Sequence, residues 1–258
     1  MHEKLLFFLL VITALSCTRN ALDLAATDAT LLDRIPQEAL LAFYPFDGDM
    51  EDVARYMHTG IPYGATLGED RFGQPAHALV LDGIDDFVNL EAGKALQVAP
   101  PLSITYWVKV DQNIRTAAAV NLNHNTQANA GIFTSFDSNG GNPAFSINDA
   151  GAPGIGSRNT KHAGVELIPG RWYHVAGLIA GIDSMQIFID GEEVSGRYDG
   201  YADSLVYVDG PVTLGRKVSS RNGPTLYFAG MLDEIAIYHK LLTSTEVQQL
   251  YRAGGSLP

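Results

Sequence analysis

Short runs in which apolar and polar residues alternate every second position dominate the sequence, and this spacing predicts half-buried β-strands. In the clearest run, LSITYWVKV at 102–110, one face carries Ile104, Tyr106, Val108 and Val110, and the other carries Ser103, Thr105, Trp107 and Lys109. Comparable apolar runs occupy 39–46, 78–82, 86–90, 171–180, 184–190, 212–215 and 226–239. Turn signals such as Asp190-Gly191 separate these runs. The pattern predicts an all-β fold, a two-sheet antiparallel β-sandwich.

One helix is predicted near the C-terminus, in the stretch LLTSTEVQQLYRAGG. Thr243 can cap its N-terminus, and Glu246 three residues later completes a capping box. Val247, Leu250 and Tyr251 recur at helical spacing. We therefore expect one short C-terminal helix beside the sandwich.

The N-terminal residues 1–17 are predicted to be an export signal. A mainly apolar stretch of eleven residues, 5–15, follows Lys4 and spans about 16 Å as a helix, which is too short for a bilayer. The ending ALSC resembles a lipoprotein signal, which predicts lipidation of Cys17; Ala14-Leu15-Ser16 also fits ordinary cleavage. Cys17 is the one cysteine in the sequence, so no intramolecular disulfide can form.

Composition favours a single domain after this signal. Residues 18–36 have weak helical spacing that Pro36 closes and are predicted to be a tether, and 37–258 are predicted to form the domain. The net charge is −12, and the 17 lysines and arginines are scattered. Nucleic acid is therefore excluded as a probable partner class, since its binding requires clustered basic residues.

Five segments in order resemble the laminin-G-like, concanavalin A-like lectin/glucanase superfamily. They are LLAFYPFDGDMEDVARYMHTGIPYGA, ALVLDGIDDFVNL, LSITYWVKV, RWYHVAGLIAGIDSMQIFIDGEEV and FAGMLDEIAIYHKLLTSTEVQQLY, and together they span about residues 40–253. The resemblance implies a jelly roll of two antiparallel sheets, with a concave face that often meets carbohydrate.

The resemblance also implies a structural calcium ion. In this superfamily such an ion often joins the first strand, an early turn and the last strand. The matching positions here are Asp47, the Gly83 carbonyl and Asp233, with Asp82 and Asp85 nearby. Neighbouring strand residues point to opposite faces, so we expect Asp233 and Glu234 to serve different roles.

The function that this reading favours is a non-catalytic carbohydrate-binding module of an exported, lipid-anchored envelope protein. Polar loops rich in Gly and Asn fill 121–164, and such loops often carry binding sites. The candidate ligand-binding residues are Trp107, Asn123, His124, Asn125 and Asn148. We expect a glycan ligand, a membrane contact through the lipid on Cys17, and a location at the bacterial outer membrane or cell surface, or else a periplasmic or secreted one.

Two alternatives remain open. A glycoside hydrolase on this fold needs paired carboxylates, and the E-x-D-x-x-E pattern of laminarinase-type relatives is absent; no catalytic residue is predicted. A polysaccharide lyase could use a histidine, with His162, His174 and His239 available, but no tyrosine partner is indicated. A protein-binding adhesion or structural module is the other alternative.

Overall fold

The computed structural model describes residues 31–54, 59–91, 93–111, 117–126, 128–136, 141–151, 155–218 and 224–255. These residues form two antiparallel eight-stranded sheets, a two-stranded ribbon and one α-helix. The sheets face each other as a sandwich, which confirms the predicted fold class. No helix in the described ranges is long and apolar enough to cross a membrane.

The first sheet is built around the last strand of the chain. Its strands are β1 (Leu40–Tyr44), β3 (Thr66–Gly68), β4 (Ala78–Asp82), β6 (Leu102–Val110), β11 (Trp172–Gly181), β12 (Ser184–Ile189), β13 (Glu192–Val194) and β18 (Ala229–Tyr238). Their order is β13-β12-β11-β6-β18-β4-β3, and β1 pairs with the C-terminal half of β18. The segments predicted for β4 and β6 match the strands residue for residue.

The second sheet has the order β14-β10-β9-β8-β7-β15-β5-β2. Its strands are β2 (Gly60–Tyr63), β5 (Phe87–Leu90), β7 (Ala118–Asn121), β8 (Ala130–Phe136), β9 (Pro143–Asp149), β10 (Arg158–Ala163), β14 (Gly196–Gly200) and β15 (Val212–Leu214). The ribbon consists of β16 (Arg216–Val218) and β17 (Thr225–Tyr227).

The main hydrophobic core lies between the two sheets, as the alternation in β6 predicts. Ile104, Tyr106 and Val108 point into this core and meet side chains of the second sheet such as Phe145 and Ile147. All five are fully buried. The stripe of apolar residues in each strand therefore faces the partner sheet, which is where most of the hydrophobic stabilisation arises.

The outer face of the first sheet is covered by helix α1 (Ser244–Ala253) and by residues 31–35. Thr243 accepts a hydrogen bond from the Glu246 backbone N–H and the Glu246 side chain returns one, so the predicted capping box is confirmed. Val247 and Leu250 pack with Ile35 against this face. The end of the segment predicted as a tether is thus packed against the sandwich.

Residues 201–211, which we term the strap, cross one end of the second sheet. Backbone hydrogen bonds join Ala202 to Arg158 of β10, and Val206 to Asn148 of β9. The Gly131 N–H of β8 donates to the Val206 carbonyl at 2.7 Å. The strap therefore ties the ends of neighbouring strands together before the chain enters β15.

Candidate functional site

A narrow pocket of about 10 Å³, with room for about one water molecule, opens beside the strap on the outer face of the second sheet. It is lined by Asn121, Asn123, Asn125, Ala128, Asn129, Ala130, Phe133 and Lys217. Four carboxamides, one aromatic ring and one ammonium group thus meet in one small space. Carboxamides and aromatic rings are the groups with which proteins usually bind polar, ring-shaped ligands.

Three elements bring this set together. Asn121 ends β7 and pairs in register with Phe133 of β8, so both side chains stand on the same face. The intervening loop carries the other three asparagines. The ribbon strand β16 then places the Lys217 ammonium 4.9 Å from the centre of the Phe133 ring, a distance typical of a cation–π contact.

Two of the asparagines fix the walls of the pocket. The Asn123 side chain donates to the Val208 carbonyl at 3.0 Å and accepts from the Val208 N–H at 2.7 Å. Asn125 donates to the Asp209 carbonyl and accepts from the Ala128 N–H. These bonds attach the loop to the strap and give the pocket a fixed shape.

Asn129 is different because its carboxamide makes no hydrogen bond with any described residue. The residue lines the pocket and is 9% exposed. A carboxamide offers both donors and acceptors. Asn129 is therefore the pocket group best placed to bind a ligand hydroxyl.

Lys217 is a nearly buried cation without an acidic partner. Its side chain has no ion pair or hydrogen bond with a described residue beyond the contact with the Phe133 ring. Burial, and secondarily the nearby Arg158 guanidinium, lower the pKa of Lys217 to about 7. The pocket thus holds an ammonium group whose charge is poorly compensated by the protein.

A glycine lets the strap lie close to β8 beside the pocket. Gly131, at the start of β8, has a φ of +66°, and a Cβ there would lie 2.6 Å from the Tyr207 ring and 2.7 Å from Asn123. Tyr207 belongs to the strap and donates to the Val98 carbonyl. Only glycine allows the strap to approach β8 this closely.

Four of the five predicted ligand-binding residues lie in or near the pocket. Asn123 and Asn125 line the pocket, whereas His124 and Asn148 lie buried near it. Burial and the neighbouring Arg216 lower the pKa of His124 to about 4. Asn148 lies opposite Gly131 and donates to its carbonyl, and its Oδ1 has no donor among the described residues.

Trp107 requires a correction, because it is not available to a ligand. Its side chain is fully buried on the outer face of the first sheet. The Arg71 guanidinium lies 4.5 Å from the centre of its ring, and Tyr251 of α1 stacks at 5.6 Å. The alternation in β6 identified the correct face, but the covering helix makes Trp107 a packing residue.

Arg71 also joins the two adjacent acids of the last strand. One of its terminal nitrogens binds the Asp233 carboxylate and the other binds Glu234, while its Nε donates to the Gly254 carbonyl at 2.9 Å. Burial and the adjacent Glu234 raise the pKa of Asp233, and Arg71 opposes this rise. Burial likewise raises the pKa of Glu234.

The expectation that Asp233 and Glu234 serve different roles is wrong. The ladder between β18 and β6 shifts register between Asp233 and Ala236, and Glu234 has a φ of +45°. This β-bulge turns the second carboxylate towards the same guanidinium. A regular strand would have pointed it to the opposite face.

A family model for the concanavalin A-like lectin/glucanases superfamily matches residues 82–248. The chain belongs to this superfamily. The sequence resemblance is thereby confirmed. No curated protein matches the chain. A lectin/glucanase-like fold is shared by binding modules and glycoside hydrolases, so the fold alone does not decide between them.

Several solved structures share the fold. Domain 4 of AbnA, an extracellular GH43 arabinanase from Geobacillus stearothermophilus solved with arabinotriose, is 20% identical, with 84% of this chain and 100% of that chain covered and a TM-score of 0.54. The binding domain of Paraclostridial Mosquitocidal Protein 1 is 14% identical, with 84% of this chain and 52% of that chain covered and a TM-score of 0.58.

A third similar structure comes from botulinum neurotoxin type C, whose cell entry is described as dependent upon interaction with two ganglioside molecules. It is 13% identical, with 83% of this chain and 51% of that chain covered and a TM-score of 0.58. This chain therefore spans about half of each of the two toxin chains.

The three calcium ligands implied by the superfamily do not meet at one point. Gly83 lies against Ala229, four residues before Asp233, which is about 13 Å along a strand. Asp47 influences the pKa of Asp233 electrostatically, but its Oδ1 lies 2.6 Å from the His77 ring. Arg71 already supplies the positive charge beside Asp233, so this set does not fit a shared calcium ion.

A different group of acids has metal-ligand spacing. One carboxylate oxygen from each of Asp82, Asp85 and Asp86 lies within 4.8 Å of the others. These residues form the turn between β4 and β5. Hard oxygen ligands of this kind suit calcium.

Sequence reasoning missed Lys217 and Asn129. Asn129 lies in the Asn-rich loop that the composition singled out, so its loop was identifiable although its side chain was not. Lys217 lies in a three-residue strand with no distinctive pattern. Residues 1–17, including the predicted lipidation site Cys17, lie outside the described ranges.

Proposed function

We propose that this protein is a non-catalytic glycan-binding module and that its ligand lies over the narrow pocket between β7, β8, β16 and the strap. The observation that carries this proposal is the Asn129 carboxamide, which lines this pocket and has no hydrogen-bond partner among the described residues. Sugar rings present closely spaced hydroxyls, and carboxamides bind such hydroxyls as both donor and acceptor.

The similar structures support the class of ligand. Domain 4 of AbnA was solved in complex with arabinotriose, and the type C neurotoxin structure is associated with ganglioside binding. Both structures share the fold of this chain. We transfer only the general ligand class, a glycan, to this chain.

The acids of the second sheet favour binding over hydrolysis. Among the described strand residues of this sheet, the carboxylates are Asp149 and Asp199. Sheet geometry separates them by two strands and three residues, about 14 Å, whereas paired glycosidase carboxylates lie about 5–9.5 Å apart. Asp199 is also engaged by Arg158 at 3.5 Å.

The proposal is tested by affinity electrophoresis and calorimetry on a panel of soluble polysaccharides. We expect Asn129→Ala to weaken binding about tenfold, which corresponds to the loss of one or two hydrogen bonds. Asn142→Ala is the matched control, because Asn142 lies at the opposite end of β9 and donates to the Ala163 carbonyl. Equal affinities for the two variants would contradict the assignment of the pocket.

Prolonged incubation with each bound polysaccharide tests the absence of catalysis. We expect no new reducing ends and no unsaturated products. Release of either product at a rate proportional to protein concentration would show a hydrolase or a lyase instead.

We further propose that residues 1–17 direct export and that Cys17 carries a lipid anchor. The proposal rests on the apolar segment and the ALSC ending described above. Metabolic labelling with a fatty-acid analogue should mark the wild-type protein and not Cys17→Ser. Unlabelled wild-type protein with residues 1–16 removed would indicate ordinary signal cleavage.

A further inference from the structure

The cation in the pocket bears on the chemistry of the ligand. Lys217 lies within a chain whose net charge is −12, yet no described carboxylate neutralises it. Removing a charge from water is unfavourable unless a partner compensates it. An apolar residue of similar length would pack against Phe133 without this penalty.

The surroundings of Lys217 add positive rather than negative charge. Arg158 lies close enough to disfavour the protonated form of Lys217. Arg216, the preceding residue, donates to Asn89 and lies over the Phe87 ring, so it also lacks a described acid. The outer face near the pocket thus presents cations for which the described part of the chain provides one nearby acid, Asp199 beside Arg158.

We propose that the ligand is an acidic saccharide whose carboxylate binds Lys217 and whose neighbouring hydroxyls bind Asn129. This inference rests on the proposed glycan-binding function. A uronic acid carries a carboxylate and hydroxyls on the same ring, as these two groups require. The ammonium is a point charge and accepts a carboxylate in several orientations, while the carboxamide fixes the direction of the ring.

The lowered proton affinity of Lys217 is consistent with this arrangement. A bound carboxylate stabilises the protonated form, so it compensates for the burial that lowers the pKa. A lysine retained for structure alone has no such compensation here. If Lys217 binds the ligand, an apolar substitution should increase stability and weaken binding. If Lys217 only supports the fold, the same substitution should decrease stability and leave binding unchanged.

The test uses matched pairs of polysaccharides in which the acidic member and its carboxyl-reduced twin differ only at the carboxylate. Suitable probes are polygalacturonate, alginate and hyaluronan fragments, with a sulfated galactan that lacks uronic acid as a separate arm. We expect one acidic member to bind about tenfold or more tightly than its reduced twin. Added salt should reduce this difference.

Lys217→Met should abolish the preference while weak binding of the reduced twin persists, and Lys217→Arg should retain most of it. Lys109→Met is the matched control, since the Lys109 ammonium lies 5.4 Å from the Trp172 ring on the first sheet. Circular dichroism of each variant confirms folding.

The outcomes separate the two proposals. Equal binding of acidic and reduced twins would overturn the acidic-ligand inference and leave glycan binding standing. An acidic preference that survives in Lys217→Met, or a preference for the sulfated galactan, would also overturn it. Failure of every polysaccharide to bind would contradict glycan binding itself, and the inference would fall with it.

Discussion

The Lys217 ammonium lies 4.9 Å from the centre of the Phe133 ring, and among the described residues no hydrogen bond or ion pair accompanies this contact. The pair brings the ribbon down onto the second sheet beside an asparagine-rich pocket. It therefore combines an unfavourably buried charge with a surface that is suited to ligand binding.

Lys217 should make folding stability increase with pH above neutrality. Its pKa is about 7 in the folded protein, against about 10.5 in the unfolded chain. The unfolded chain therefore binds more protons between these values, and the free energy of unfolding rises as pH increases through that window. Urea unfolding at pH 7 and pH 9 should show this rise in wild type and a smaller one in Lys217→Met. A larger rise in the variant would contradict the assignment.

Binding of an acidic saccharide should respond to pH in the opposite direction. The charged form of Lys217 is lost as pH rises above about 7, so affinity should fall by up to about tenfold per pH unit. His162 lies 4.0 Å from the Asp199 carboxylate, so the titration is best measured in a His162→Gln background. Affinity that is constant from pH 6 to pH 9 would count against the role of Lys217.

Two buried histidines should promote unfolding in acid. Burial is the main reason that the pKa falls to about 4 for His124 and to about 3 for His174, with Arg216 and Arg71 respectively adding to the effect. The unfolded chain takes up these protons first as pH falls below about 6.5, so the free energy of unfolding decreases. Each histidine contributes up to about 1.4 kcal/mol per pH unit. His124→Gln and His174→Gln should each reduce the slope between pH 6.5 and 4.5, and unchanged slopes would refute the prediction.

Arg71 should be essential for stability through its two acidic partners. Arg71→Met leaves Asp233 and Glu234 buried without a cation, and loss of one partner from a buried ion pair typically costs about 3–5 kcal/mol. Replacing the acids as well, in Arg71→Met/Asp233→Asn/Glu234→Gln, should recover much of this loss. The comparison requires only unfolding curves. A triple variant no more stable than Arg71→Met would show that the loss arises from packing on Trp107.

Calcium binding stays a prediction, and the structure suggests where to test it. We expect calcium to raise the unfolding temperature and Asp85→Asn to remove that increase, because Asp85 belongs to the carboxylate group in the turn between β4 and β5. Asp47→Asn should leave the increase intact. An unfolding temperature that responds to neither calcium nor a chelator would contradict the prediction of calcium binding.

Strand periodicity and capping residues were sufficient to predict the sandwich and its helix. The core face of β6 and the capping box at Thr243 depend on neighbours along the chain, which sequence patterns record directly. Short strands such as β3 and β16 carry three residues each and contain too few positions for a period to emerge.

The site was predicted less well because it depends on tertiary contacts. Trp107 lies on the face of β6 that the alternation predicted, but its burial depends on Arg71 and Tyr251, which are distant in sequence. The bulge at Glu234 similarly leaves no signal in an apolar run. Lys217 became a candidate only when its distance from Phe133 and its lack of an acidic partner were known.

The position of β18 in the middle of the first sheet has a consequence for folding. This strand, the last in the chain, pairs with β6 on one side and with β1 and β4 on the other. Without residues 229–238 the first sheet would consist of three unjoined parts with unpaired edges, namely β13-β12-β11-β6, β4-β3 and β1. The pairing of β18 with all three parts therefore closes the first sheet, so this one strand joins segments that are distant in sequence.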